Sequence, residues 1–253
     1  MAAAAIVPPQ DPQQPAPLSE AQRLIDTFIA PTKTFTDLRR SAMWWAPFLL
    51  IVIVSVLFVS VVDQKIGFRK VFDNIIQQQP KQAERIENLP TDQRESMLQK
   101  QTAFTKGISY AAPVIGLIVY AIFAGVFFAT LKFAANADVT FSSMYALIVY
   151  TRLPELLRAL LATLSIVAGV SSDSFNIENP LATNAGYFID PSGSAVLRAL
   201  LTPLDVITIW TLVLVAIGIT CIGNVKRGTA FGVVFGWFGV YILGKVAFAA
   251  IFS

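Results

Sequence analysis

Four stretches of this chain, 42–62, 108–131, 206–225 and 228–251, are long and almost free of charge. Crossing the hydrocarbon core of a bilayer takes about 20 apolar residues. Within that core every backbone polar group must be satisfied internally, so such stretches are helices. A fifth stretch, 143–168, is as long but carries Arg152, Pro154, Glu155 and Arg158. The pattern predicts an all-α, polytopic membrane protein with five transmembrane helices. On a helix, Arg152 to Glu155 and Glu155 to Arg158 are i,i+3 steps, so the three charges share one face. A charge at bilayer depth costs at least about 2.5 kcal/mol. That face must therefore meet protein or a wet cavity, with the other four spans packed around it.

Composition agrees with a membrane setting. The 253 residues are 55% hydrophobic and 14% charged, with mean hydropathy +0.63; soluble domains carry about 25% charged residues. The net charge of +3 comes from basic residues scattered between apolar runs, which argues against a nucleic-acid partner. With no histidine, Ser-His-Asp triads, Cys-His pairs and His-ligated zinc are excluded. The single cysteine, Cys221, sits inside an apolar run and allows no internal disulfide. No phosphate-cradling or nucleotide-binding glycine motif is present, so no cofactor is expected and the reading is non-enzymatic.

Residues 1–17 are rich in Ala, Pro and Gln and are expected to be disordered. Residues 18–41 open with Ser19 and Gln22, an S-x-x-Q capping box. Leu24, Ile25, Phe28 and Ile29 then follow with helical spacing up to Pro31. This is a short amphipathic helix, either on the membrane surface or packed against the spans. The membrane domain, 42–253, starts with Trp44-Trp45 as an interface anchor. A polar insert, 63–107, has 8 Lys/Arg and 6 Asp/Glu, punctuated by Pro80 and Pro90; it reads as a helical hairpin outside the bilayer. In span two, Ala121, Gly125 and Ala129 form a small-xxx-small stripe. Residues 169–205 read as an external loop with a short interfacial helix over 195–201. In span five, Gly228, Gly232, Gly236 and Gly244 stand on an i,i+4 line read as a close helix contact, with Gly239 on another face. Self-association along these stripes is left open beside packing within one chain.

Lys/Arg counts do not vote cleanly on orientation, because the 63–107 insert is itself basic. The Lys226-Arg227 turn and the nearly base-free 169–205 loop favour a cytoplasmic N-terminus and an external C-terminus.

The chain resembles the YIP (Ypt/Rab-interacting protein) family of membrane proteins, particularly bacterial members. The resemblance lies in Pro31, Lys33, Phe35 and Leu38 followed by Trp44-Trp45 and Pro47. It continues in Thr140-Phe141 leading to Tyr150 and Pro154, and in Leu204-Asp205 with Trp210 and Gly218. It implies five spans, a cytoplasmic N-terminus and, for a bacterial member, the cytoplasmic (inner) membrane, and it brings no catalytic residues. A scaffold or adaptor binding lipid and other membrane proteins is the leading expectation. A transporter or channel component built on the charged third span is the alternative.

Overall fold

A computed structural model describes residues 16–77, 79–173, 175–190 and 193–252. Most of the expected disordered tail, residues 1–15, therefore lies outside the described residues. The structure is helical, with one isolated bridge between Asn184 and Asp205 among the described residues. The helices are α1 (Glu20–Ile29), α2 (Pro31–Asp37), α3 (Trp45–Lys65), α4 (Phe68–Gln77), α5 (Pro80–Glu87) and α6 (Thr91–Ala134). They continue with α7 (Phe141–Tyr150), α8 (Leu153–Val167), α9 (Ala195–Leu201), α10 (Val206–Gly223) and α11 (Arg227–Phe252). Four of these, α3, α6, α10 and α11, are long and apolar enough to cross a membrane.

The charged stretch is not one helix. It breaks at Thr151-Arg152 into α7 and α8, of 10 and 15 residues. Pro154 supplies the reason: it has no N–H, and its ring would meet the carbonyl four residues back, that of Tyr150. The chain instead tightens, with the Arg152 N–H donating to the Val149 carbonyl, and Pro154 lies in the first turn of α8, where a missing N–H costs nothing. The charge face of a single continuous span is accordingly split.

Span two also departs from expectation. It is the second part of α6, a 44-residue helix starting at Thr91, or about 66 Å of helix at ~1.5 Å per residue. The insert before it holds two further helices, α4 and α5. Phe72, Ile86 and Leu98 form a small core where this insert folds on itself. Asn74 ties the insert to the segment after α8, donating to the carbonyls of Ser172 and Phe175 at 2.8 Å each.

α7 and α8 sit inside the bundle. Residues 146–150 of α7 are fully buried, and Phe141 meets Phe128 of α6 edge-on. α8 packs along α3 until Ile166 joins Val59, Val62, Phe68, Val71 and Phe175 in a second small core. One end of the molecule thus carries α4 and α5, and the other carries α1 and α2.

α1 has the Ser19–Gln22 capping box in full, yet it does not lie free on a surface. Leu24 and Phe28 pack on the main core, Phe28 meets Trp210 edge-on at 5.9 Å, and only Ile25 and Ile29 point outward. The tryptophan pair divides in the same way: Trp44 packs on Tyr145 at 5.3 Å, and Trp45 is exposed.

The small-residue stripes are not the tight contacts. In the second part of α6 the buried positions are Pro113, Ala124, Phe127 and Leu131, whereas Ala121, Gly125 and Ala129 are half-buried. A Cβ at Gly125 would reach only the Phe141 ring, at 4.0 Å. In α11 a Cβ at Gly228, Gly232, Gly236, Gly239 or Gly244 would meet nothing within 4 Å. At about 100° per residue, Gly239 shares the azimuth of Gly232, and Gly244 lies well off it. α11 instead buries Ala230 and Val234 in the main core, and it packs on α10 and α9. The close helix contact runs through Gly218 of α10, where a Cβ would overlap the Leu147 side chain.

Candidate functional site

α10 begins beside the middle of α8, not at the α4–α5 end. Asp205, its N-cap, bonds to Arg158, which lies about 12 Å below Ile166 along α8 at ~1.5 Å per residue. The segment before α10 must therefore dip into the bundle, and it brings polar groups with it. Asp205 is 3% exposed. Its Oδ1 accepts from the backbone N–H groups of Ile207 and Thr208 at 2.9 and 3.1 Å and pairs with Arg158 Nη2. Its Oδ2 accepts from the Thr183 hydroxyl and, at 3.4 Å, from the Asn184 amide. Asn184 in turn donates to Asn179 at 2.8 Å. Burial opposes the Asp205 charge, but these hydrogen bonds and Arg158 outweigh it and hold its carboxyl below the usual aspartate range.

Arg158 is the hub of the cluster. Nη1 pairs with Glu155 at 2.8 Å, and Nη2 reaches both Asp205 and, at 3.3 Å, the Thr208 hydroxyl. The unit is therefore Glu155–Arg158–Asp205, one cation between two carboxylates.

Arg152 stands apart from it. It caps the start of α8, makes no ion pair with Glu155 among the described residues, and places its guanidinium 5.4 Å from the Tyr120 ring and 5.6 Å from the Phe123 ring. Its buried Nε finds no hydrogen-bond partner. Of the two arginines expected to bracket Glu155, only Arg158 makes a salt bridge with it among the described residues; Arg152 belongs to the turn, whose backbone aims it at α6, and acts on Glu155 as a nearby charge.

A second buried ion cluster lies at the α1–α2 end, and sequence reasoning missed it. Arg23, 3% exposed, pairs with Asp37 at 2.7 Å and with Glu20 at 3.1 Å. Glu20 accepts the Tyr150 hydroxyl at 2.9 Å, and the Arg23 carbonyl accepts the hydroxyls of Thr27 and Thr34. Burial works against the Arg23 charge, but Asp37 and Glu20 hold its pKa above the usual arginine value. The one available signal was the i,i+3 spacing of Glu20 and Arg23. Reading Leu24, Ile25, Phe28 and Ile29 as the docking face hid that the polar neighbours dock too. The residues of the family resemblance fare differently: Phe35, Leu38 and Tyr150 are fully buried, and Asp205 caps α10.

Among the described residues no three acidic or cysteine side chains gather as a metal site requires. The cluster can hold charge and orient helices, and it offers no activated nucleophile. The family model described as the Yip1 domain matches residues 25–248. No curated protein and no solved structure matches the chain.

Proposed function

Because the chain belongs to the Yip1 domain family, a family of membrane proteins, we propose that it works as a non-enzymatic integral membrane scaffold or adaptor that organises bilayer or partner proteins. The observation that carries this is the closure of the Glu155–Arg158–Asp205 cluster. Both carboxylates pair with the one cation, and Asp205 is further occupied by two backbone N–H groups. Charges so spent tie α8, α10 and the 169–205 segment together and leave little to offer a passing solute. What remains for partners is outside: the α4–α5 insert, the outward faces of α1 and α6, and α11, which is largely uncovered.

In this reading α7 and α8 cross the membrane together as a fifth, broken span. Support comes from α7 packing on the half of α6 near Phe128 and α8 reaching the far end of α3 at Val62. Five crossings put the two termini on opposite sides, and the Lys226-Arg227 turn favours the N-terminus inside a bacterial cytoplasmic membrane.

A transporter or channel component is the second reading. It is favoured by Arg152, whose guanidinium stands between two rings with no ion-pair partner among the described residues. Reconstitution in liposomes separates the two. A scaffold gives proton and small-ion flux equal to that of empty vesicles, whereas flux abolished by Arg152→Met would establish transport and displace the scaffold reading. Proximity labelling in cells is then expected to recover a reproducible set of membrane proteins.

A further inference from the structure

The exposed large apolar side chains of four helices stop at one level of the bundle. On α6 they run from Phe104 to Phe123, and on α3 from Trp45 to Leu57. On α8 they begin at Leu157, and on α11 at Trp237. Contacts between the helices set these limits side by side. Lys106 pairs with Asp63 at 2.7 Å, and the hydroxyls of Tyr110 and Ser60 lie 3.5 Å apart. Counting about 15 residues down both antiparallel helices brings Trp45 opposite Gly125. Arg152, at the start of α8, lies over the Tyr120 and Phe123 rings. α10 meets α7 and α8 where Gly218 lies against Leu147 and Asp205 pairs with Arg158. α11 runs back along α10 from the Lys226-Arg227 turn, so Trp237 stands level with Val213 and hence with the α7–α8 break. α1 belongs to the same level: Glu20 accepts from Tyr150, and Phe28 meets Trp210.

Beneath this edge stand α7, the last turns of α6, the second half of α10 and the first turns of α11, about 15 Å of helix. Their exposed surface differs in kind. α11 shows Gly228, Thr229 and Gly232 there, and the cations of Lys33, Arg39, Arg40, Lys132, Lys226 and Arg227 are all exposed at or below the edge. Among the described residues Phe133 and Phe141 are the exposed large apolar side chains of this end. Above the edge, the apolar belt is about 28 Å tall on α6, close to the ~30 Å of a hydrocarbon core. Lys245, on the same part of α11, lines the cleft between α4 and α9 instead. A flat bilayer cannot follow the apolar runs of α3 and α6 alike, because the second reaches Leu131, about 9 Å below Trp45. Residues buried in protein read as apolar too, so hydropathy does not choose between them.

We propose that the bilayer closes around the belt alone, and that the α7 end stands beyond it as a base in the water and headgroups of the cytoplasmic side. Two features select acyl chains as the occupant of the belt. Its height matches a hydrocarbon core, and cations gather at its lower edge, where anionic headgroups lie. The inference rests on the five-crossing reading and narrows which residues of each crossing meet lipid. α7 and α8 still lead from one side to the other, with α8 in the hydrocarbon and α7 in the base. The glycines of α11 before Trp237 face water and not lipid.

Spin labels along the exposed side of α11 test this, in protein carrying Cys221→Ser and reconstituted in phosphatidylethanolamine–phosphatidylglycerol liposomes. Thr229→Cys, Gly232→Cys, Val240→Cys and Leu243→Cys all stand at exposed positions, so burial in the protein does not set the reading. Access of oxygen, which collects in hydrocarbon, is compared with access of a polar nickel chelate supplied on both faces, so that orientation does not enter. The oxygen-to-chelate ratio at Val240 and Leu243 is expected to exceed that at Thr229 and Gly232 by about tenfold, because hydrocarbon excludes polar solutes. Equal ratios at Gly232 and Leu243 would put the α11 glycines in lipid and overturn the proposal. So would a label at Gly232 hidden from both reagents, which would mean that a protein chain covers the base. Neither result bears on ion flux or on which side the termini lie, so failure here is distinct from failure of the scaffold reading.

Discussion

At the residue scale, Asp205 carries two tasks at once. It caps α10 and neutralises Arg158. Losing a cap costs about 1 kcal/mol, and stranding a buried cation costs about 3–5 kcal/mol. Arg158 keeps Glu155, and its side chain is a quarter exposed, so the second cost is reduced. Asp205→Ala should therefore lose about 2–3 kcal/mol in a thermal or denaturant melt in detergent. Asp205→Asn keeps the cap acceptor and should lose less. A wild-type melting temperature for Asp205→Ala would remove the stitching role. The pH dependence has a definite sign. A carboxyl held below its ordinary range stabilises the fold above the unfolded aspartate pKa, near 3.9, and that contribution fades as pH falls through the depressed folded value. No loss from this group is expected between pH 5 and 8. Arg152 differs from Arg158, since its guanidinium lies over the Tyr120 and Phe123 rings and the salt bridges to Glu155 and Asp205 are made by Arg158. Arg152→Met should cost no more than the cation–π contacts, about 0.5–2 kcal/mol, and clearly less than Arg158→Met. Equal losses would restore the three-charge unit expected from spacing alone.

At the element scale, two glycines that look alike in sequence behave in opposite ways. Gly218 lies against Leu147, and a Cβ there overlaps that side chain. Gly218→Ala should destabilise by about 1–3 kcal/mol, the usual cost of overpacking. Gly232 on α11 faces open space, so Gly232→Leu should leave the monomer's melting temperature unchanged. A large loss there would mean that another chain covers this face, and cross-linking would then detect the oligomer. α1 provides a further test. Since Phe28 packs on Trp210 and the main core, Phe28→Asp should lower stability by about 3 kcal/mol or more, combining lost apolar burial with an unpaired charge. A variant as stable as wild type would return α1 to the membrane surface.

At the scale of the whole molecule, the expected arrangement is five crossings with the termini on opposite sides. With Cys221→Ser as background, Gln99→Cys and Ala182→Cys should react with an impermeant thiol reagent from outside the cell, and Lys226→Cys only after permeabilisation. Labelling of Lys226→Cys from outside would invert the orientation. Both external positions belong to segments that Asn74 and Lys70 bind together, so they must report the same side. Opposite labelling of the two would contradict the fold itself.

Hydropathy alone determined that the chain is helical and membrane-embedded, because about 20 consecutive apolar residues admit no other solution in a bilayer. The Ser19–Gln22 capping box was equally legible, since caps and breaks depend on neighbours within a turn. The same local rule marked Pro154 as a break, although the consequence for the charged face follows from where the turn aims Arg152. Tertiary structure decided the rest. Asp205, 47 residues from Arg158, becomes its partner only once α10 starts beside the middle of α8. Helical spacing says which residues share a face and is silent on what that face meets. In a membrane this silence is deeper than in water, because lipid and protein are both apolar surroundings. The glycines of α11 and Gly218 of α10 are therefore indistinguishable by pattern, and only the packed bundle tells the open face from the closed one.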